Sequence, residues 1–170
     1  AGAVDQVKIR DGNIYVHVIG SHEEDSVSHE EALGSHERNS GNHEENSSGE
    51  EPRGICGSGI IDLLAELFLE GWIDIRGKLS PEKSPLIQER DNQLCVEYAP
   101  GLYFYQKDID EFIRTKSAAH TMVEIMLRES GLELSQADRF YVAGAFGKHV
   151  SKESAITIGM YPDMDRDHII

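Results

Sequence analysis

The sequence has 170 residues, a net charge of −15 and two cysteines. That length suffices for one domain with a real core; the charge argues against a generic nucleic-acid surface, and no apolar run reaches membrane-spanning length. Cys56 and Cys95 make neither a disulfide framework nor the four-cysteine set usual for an iron–sulfur cluster, which points to a reducing cytoplasm. The chain opens on Ala1-Gly2-Ala3-Val4 and is read as a piece of a longer protein.

The apolar-rich runs Val4 to Ile9 and Ile14 to Ile19, around Asp11-Gly12-Asn13, predict an antiparallel hairpin. Residues 21–50 carry nine acidic groups and one basic group. A seven-residue repeat there places His22, His29, His36 and His43 at equal spacing. No apolar pair recurs in it, and Gly34, Gly41 and Gly49 disfavour helix, so the segment reads as a solvated, flexible insert in a surface loop. A helix is expected from Ser58 to Glu70, with Gly71 as its stop. Leu86 to Glu89 and Leu94 to Tyr98 suggest a second short strand pair around Asp91-Asn92. Tyr103-Phe104-Tyr105 is read as a lead into the longest helix, Asp108 to Ser130. Its expected apolar stripe is Ile109, Phe112, Ile113, Lys116, Ala119, Val123, Met126 and Leu127. Asp108, Asp110 and Glu111 at its start are explained by the helix dipole. Arg139 to Ala143 is expected as a buried strand, and Ser151 as the cap of a last helix ending near Gly159. Nothing after His168-Ile169-Ile170 supplies the strand that the last helix is expected to lead into, so the lobe is read as incomplete. The order implies an α/β lobe with antiparallel and parallel parts, a mixed sheet flanked by helices.

Two glycine-rich turns carry the chemistry. The first is Gly54-Ile55-Cys56-Gly57-Ser58-Gly59, the second Val142-Ala143-Gly144-Ala145-Phe146-Gly147-Lys148. Glycines let a ligand approach the main chain, and amides at a helix start attract anions, so the pair suggests a nucleotide between them. Each turn also has a packing explanation, a close crossing of helix on strand. The first is neither a Walker A motif nor a full GxGxxG. Lys148 is placed either on a phosphate or in solvent. Asp62 interrupts an apolar helix face and could order the turn, face a cation or point outward. The four repeat histidines are low-priority metal candidates for zinc or nickel. No catalytic residue is assigned.

Four segments together resemble the C-terminal region of the reductive activators of corrinoid proteins: AGAVDQV, GICGSGIIDLLAELFLEGWID, QKDIDEFIRTKSAA and FYVAGAFGKHVSKESAITIGMYPD. The resemblance covers nearly all of the chain outside residues 21–50. It implies part of a ribonuclease-H-like lobe of the actin/Hsp70/sugar-kinase (ASKHA) fold. It further implies ATP with Mg as ligand, Gly57, Ser58 and Gly59 in the nucleotide cleft, and Gly144, Ala145, Phe146 and Gly147 at the adenosine. An iron–sulfur cluster is implied outside this chain. The implied partners are a corrinoid protein and a ferredoxin-type electron donor, with a homodimer also admitted. The implied role is ATP-dependent return of Co(II) corrinoid to Co(I) in a methyltransferase system of anaerobic metabolism, and these residues alone are not expected to be a competent ATPase. Two other readings stay open: another ATPase or kinase of the superfamily, such as an acyl-CoA dehydratase activator, and a non-enzymatic metal-binding module built on the His/Glu repeat.

Overall fold

The computed structural model describes residues 2–19 and 51–170, with the backbone alone for Ala145 and Phe146. The expected insert at 21–50, with His22, His29, His36 and His43, lies outside the described residues.

β1 (Ala3–Arg10) and β2 (Asn13–Val18) pair antiparallel as expected. Asp11 (φ 51°) and Gly12 (φ 78°) form the two-residue connection, both left-handed as a tight hairpin requires. Along β1, Val7 and Ile9 point inward while Lys8 and Arg10 stay in solvent, the alternation of a half-buried strand. β3 (Gly54–Ile55) adds parallel to the other side of β1, giving the sheet order β2-β1-β3. α1 (Gly57–Leu69) follows directly. Gly71 (φ 68°) ends it: Gly71 N bonds Phe68 O at 3.1 Å and Trp72 N bonds Leu67 O at 2.8 Å. These two bonds satisfy the last carbonyls of the helix.

A second sheet is wholly antiparallel, order β4-β5-β6. β4 (Ile87–Arg90) and β5 (Gln93–Ala99) turn through Asp91 and Asn92, both at positive φ. β6 (Leu102–Tyr105) pairs antiparallel with β5, so the expected lead-in to α2 is itself a strand. Pro100-Gly101, with Gly101 at φ 74°, is the reversal that makes it a strand. α2 (Gln106–Ser130) starts two residues earlier than expected, where the Asp108 carboxylate accepts from Tyr105 N at 3.1 Å.

The main core joins both sheets to α1 and the start of α2, through Val4, Val7, Leu63, Leu67, Val96, Phe104 and Ile109. The expected stripe on α2 is only half used. Ile109, Phe112 and Ile113 pack, but Val123 and Met126 are exposed at 42% and 65%. The helix outruns the layer it packs on, so the periodicity persists where no described residue covers it.

Arg139 to Ala143 is not a buried strand. It is extended and largely exposed, with one parallel bridge from Phe140 to Ile169. Its partner is the tail at 168–170. Phe140 N bonds His168 O at 2.8 Å, Ile170 N bonds Phe140 O at 2.9 Å, and Val142 N bonds Ile170 O at 2.7 Å. Pairing along this one short stretch is the physical reason the segment stays exposed. After it come α3 (Ala145–His149) and α4 (Lys152–Thr157). Ser151 Oγ accepts from Ser154 N at 3.2 Å, the cap expected there. A second apolar cluster, Ile61, Val150, Ala155, Tyr161 and Ile169, ties these elements to α1. Arg166 braces them, with Nε and Nη2 donating to the two Glu153 carboxylate oxygens at 2.7 and 2.8 Å. Among the described residues no helix is long and apolar enough to cross a membrane.

Candidate functional site: two glycine turns on one apolar cluster

The first turn joins β3 to α1. Cys56 N donates to Val4 O at 2.9 Å, which anchors the turn to β1. Gly57 at the helix start is exposed, while Ser58 and Gly59 are buried. A Cβ on Gly59 would stand 2.5 Å from Val4 O and 2.8 Å from Ile55 Cγ1. Gly59 therefore has a packing role, letting the helix approach the strand. Gly57 is the one glycine of Gly57-Ser58-Gly59 open to solvent. Ser58 Oγ shares a hydrogen bond with Cys56 Sγ at 3.1 Å.

The second turn leads into α3. Gly144 is exposed at φ 96°, a conformation that favours glycine, and among the described residues no atom beyond its chain neighbours lies within 4 Å of where its Cβ would be. Gly147 is different: its Cβ would meet Val142 Cγ1 at 2.5 Å and Val142 O at 3.2 Å. Each turn thus pairs one open glycine, Gly57 or Gly144, with one packing glycine, Gly59 or Gly147. The side chains of Ala145 and Phe146 lie outside the described residues. Lys148 is exposed.

The two turns are neighbours because their helices touch. Ile61, one turn after Gly57, shares its cluster with the half-buried Val142, two residues before Gly144. One apolar cluster therefore carries both turns.

Polar groups on α1 differ in how they are satisfied. Glu66 is buried, yet accepts from Lys8 Nζ at 2.8 Å and Ile9 N at 2.9 Å. Asp62 is buried too, and its Oδ1 has no partner among the described residues. The Tyr161 hydroxyl is likewise enclosed without a partner, and burial raises its pKa. Of the three placements open for Asp62 from sequence, the outward one is excluded. Tyr161 was not singled out; a tyrosine next to the helix-stopping Pro162 carries no sequence signal of burial.

An apolar cavity of about 260 Å³ lies at the opposite end of α1, lined by Leu64, Phe68, Ile113 and Ile158. Its lysine, Lys116, is engaged with Ile158 O at 2.8 Å. This cavity suits an apolar group rather than a phosphate. Among the described residues no three His, Cys, Asp or Glu side chains gather as a metal cage.

Comparison with known proteins agrees with this architecture. The chain is 28% identical over 130 residues to the corrinoid activation enzyme RamQ of Eubacterium limosum, covering 67% of this chain and 22% of that protein. It is 28% identical over 114 residues to the Co(II) methylated amine-specific corrinoid protein reductase of Methanosarcina barkeri, covering 67% and 19%. A solved structure titled reductive activator for corrinoid, iron-sulfur protein superposes with a TM-score of 0.75 at 30% identity, over 99% of this chain and 24% of that one. The chain thus spans roughly a fifth to a quarter of the length of these relatives. The model of the C-terminal domain of RACo, the ASKHA domain, matches residues 1–170, and the chain belongs to that family.

Proposed function

We propose that this chain is the ATP-binding part of a reductive activator that returns a Co(II) corrinoid protein to Co(I). The relatives are named for corrinoid activation, and the observation that carries the ligand reading is the Gly144 turn. Its left-handed backbone and empty Cβ position leave room for a flat base or ribose against the main chain. Gly57, exposed at the start of the neighbouring α1, offers free helix amides to phosphate oxygens. Gly59 and Gly147 hold these two turns close to the strand and segment behind them.

ATP would supply a free-energy difference between two arrangements of the protein, with the electron coming from an iron–sulfur donor outside these residues. What this chain contributes is binding and orientation. A nucleotide wedged between two turns on one cluster biases that cluster toward the bound arrangement. Partners on this reading are a corrinoid protein and a ferredoxin-type donor.

Gly144→Val tests the reading. A branched side chain at φ 96° strains the turn and fills the space the ligand needs. In the protein that carries this chain, ATP affinity should fall by about tenfold or more, corresponding to about 1.4 kcal/mol. ATP-dependent Co(II) reduction, followed by the visible spectrum of the corrinoid, should fall with it. Unchanged ATP affinity in a folded variant removes the turn from the site.

A further inference from the structure

Asp62 is the anomaly of α1. It lies one helical turn after Ser58, on the same face, and helical side chains lean toward the N-terminus. Its side chain therefore leans toward the end of α1 that carries Gly57 and Ser58. Both side chains are buried, at 5% exposure for Asp62 and 6% for Ser58. Asp62 Oδ1 accepts no hydrogen bond from any described residue. Glu66, one turn further on the same helix and equally enclosed at 8%, is satisfied by an ammonium and a backbone amide. β1 thus provides partners for one buried carboxylate of α1, while Oδ1 of the other has none among the described residues.

A buried carboxylate without a donor or cation is strongly disfavoured. The chemistry of its surroundings selects what completes it. A helix start attracts an anion, and an anion beside a carboxylate repels it unless a cation lies between them. Small divalent cations of the magnesium class are commonly held by one or two carboxylates, with phosphate oxygens and water filling the remaining positions. A single buried carboxylate with an unpartnered oxygen, one helical turn from an anion-attracting helix start, matches that pattern. A protein cage of several ligands does not, and none forms among the described residues.

We propose that Asp62, with Ser58 one helical turn before it, is the protein ligand of a divalent cation that accompanies the nucleotide phosphates. This rests on the nucleotide reading above and adds a named residue to it.

The probe is Mn²⁺, measured by electron paramagnetic resonance and calorimetry, alone and with ATP, on the protein that carries this chain. Asp62→Asn keeps the shape and removes the charge. It should weaken Mn²⁺ binding in the presence of ATP by about tenfold or more. Metal-free ATP binding should stay equal or tighten, because a repulsive charge is gone. The melting temperature without metal should not fall. Ser58→Ala should weaken Mn²⁺ by a smaller factor, and it decides the matter if the Asn variant does not fold: unchanged Mn²⁺ affinity then overturns the proposal. If Asp62→Asn binds Mn²⁺ with ATP as the parent does, the cation assignment fails while the nucleotide reading stands. If the parent binds no ATP but binds Mn²⁺ alone, and Asp62→Asn loses it, the cation site stands and the nucleotide reading fails. A parent that binds Mn²⁺ under neither condition also overturns the proposal.

Discussion

Glycine identity matters here through two separate physical causes. Gly144 is required by backbone angle and leaves open space; Gly59 is required by a collision. The two should respond differently to the smallest substitution. Gly59→Ala forces a methyl group against Val4 O, so helix and strand must part or the backbone must shift. We expect a stability loss of about 1–3 kcal/mol, read as a lower urea midpoint with an unchanged slope. A neutral outcome would mean that α1 can move off β1 freely. The sequence showed that both turns were special but not which glycine served which purpose. Gly57 and Gly59 look alike in the string Gly57-Ser58-Gly59, and only the position of Val4 O separates them. Asp62 gives the same lesson. Its place inside an apolar run was visible, whereas its lack of a partner depends on what neighbouring elements place beside it.

Elements whose boundaries are set locally were legible. The β1–β2 and β4–β5 hairpins follow from turn residues that accept positive φ, Asp11-Gly12 and Asp91-Asn92. The stop at Gly71 and the cap at Ser151 are likewise properties of a few adjacent residues. Strand 139–143 was misjudged because burial of a strand depends on partners distant in sequence; here they are the three residues at 168–170. α2 failed in a similar way. Its helical period was correct, yet burial stops after the first turns because no described element lies beneath the rest. Met122 and Met126 are exposed at 63% and 65% on that unpartnered half. Replacing both with Lys should leave the folded chain within about 0.5 kcal/mol of the parent, as for other exposed positions. It should also reduce aggregation on heating, measured by light scattering. A drop of several kcal/mol would show that this face is packed in solution.

Across the whole molecule, two apolar clusters organise the chain, and α1 contributes to both: Leu63, Leu64 and Leu67 to one, Ile61 to the other. The helix that follows the first turn is therefore the element that couples the hairpin sheet to the segment bearing the second turn. Two described residues that flank 20–50 in the sequence, Ile19 and Arg53, meet the same dipeptide, Gly2-Ala3. Ile19 N bonds Ala3 O at 2.9 Å and Arg53 N bonds Gly2 O at 2.6 Å. Because those anchors lie together, replacing residues 21–50 by a short Gly/Ser linker should leave stability equal or raise it by up to about 1 kcal/mol, the closure entropy of a long loop. Differential scanning calorimetry checks this, and a collapse of the transition would assign the segment a structural part. By itself the sequence determined the α/β class, both tight hairpins, the helices α1, α2 and α4 and the two glycine turns, because each depends on residues close together in the chain. Only the tertiary structure decided that β6 is a strand, that the 139–143 segment pairs with the tail, that Gly59 and Gly147 pack while Gly57 and Gly144 stay open, and that Asp62 is buried unpaired. Those properties depend on which distant atoms come within contact distance, and no local pattern encodes that.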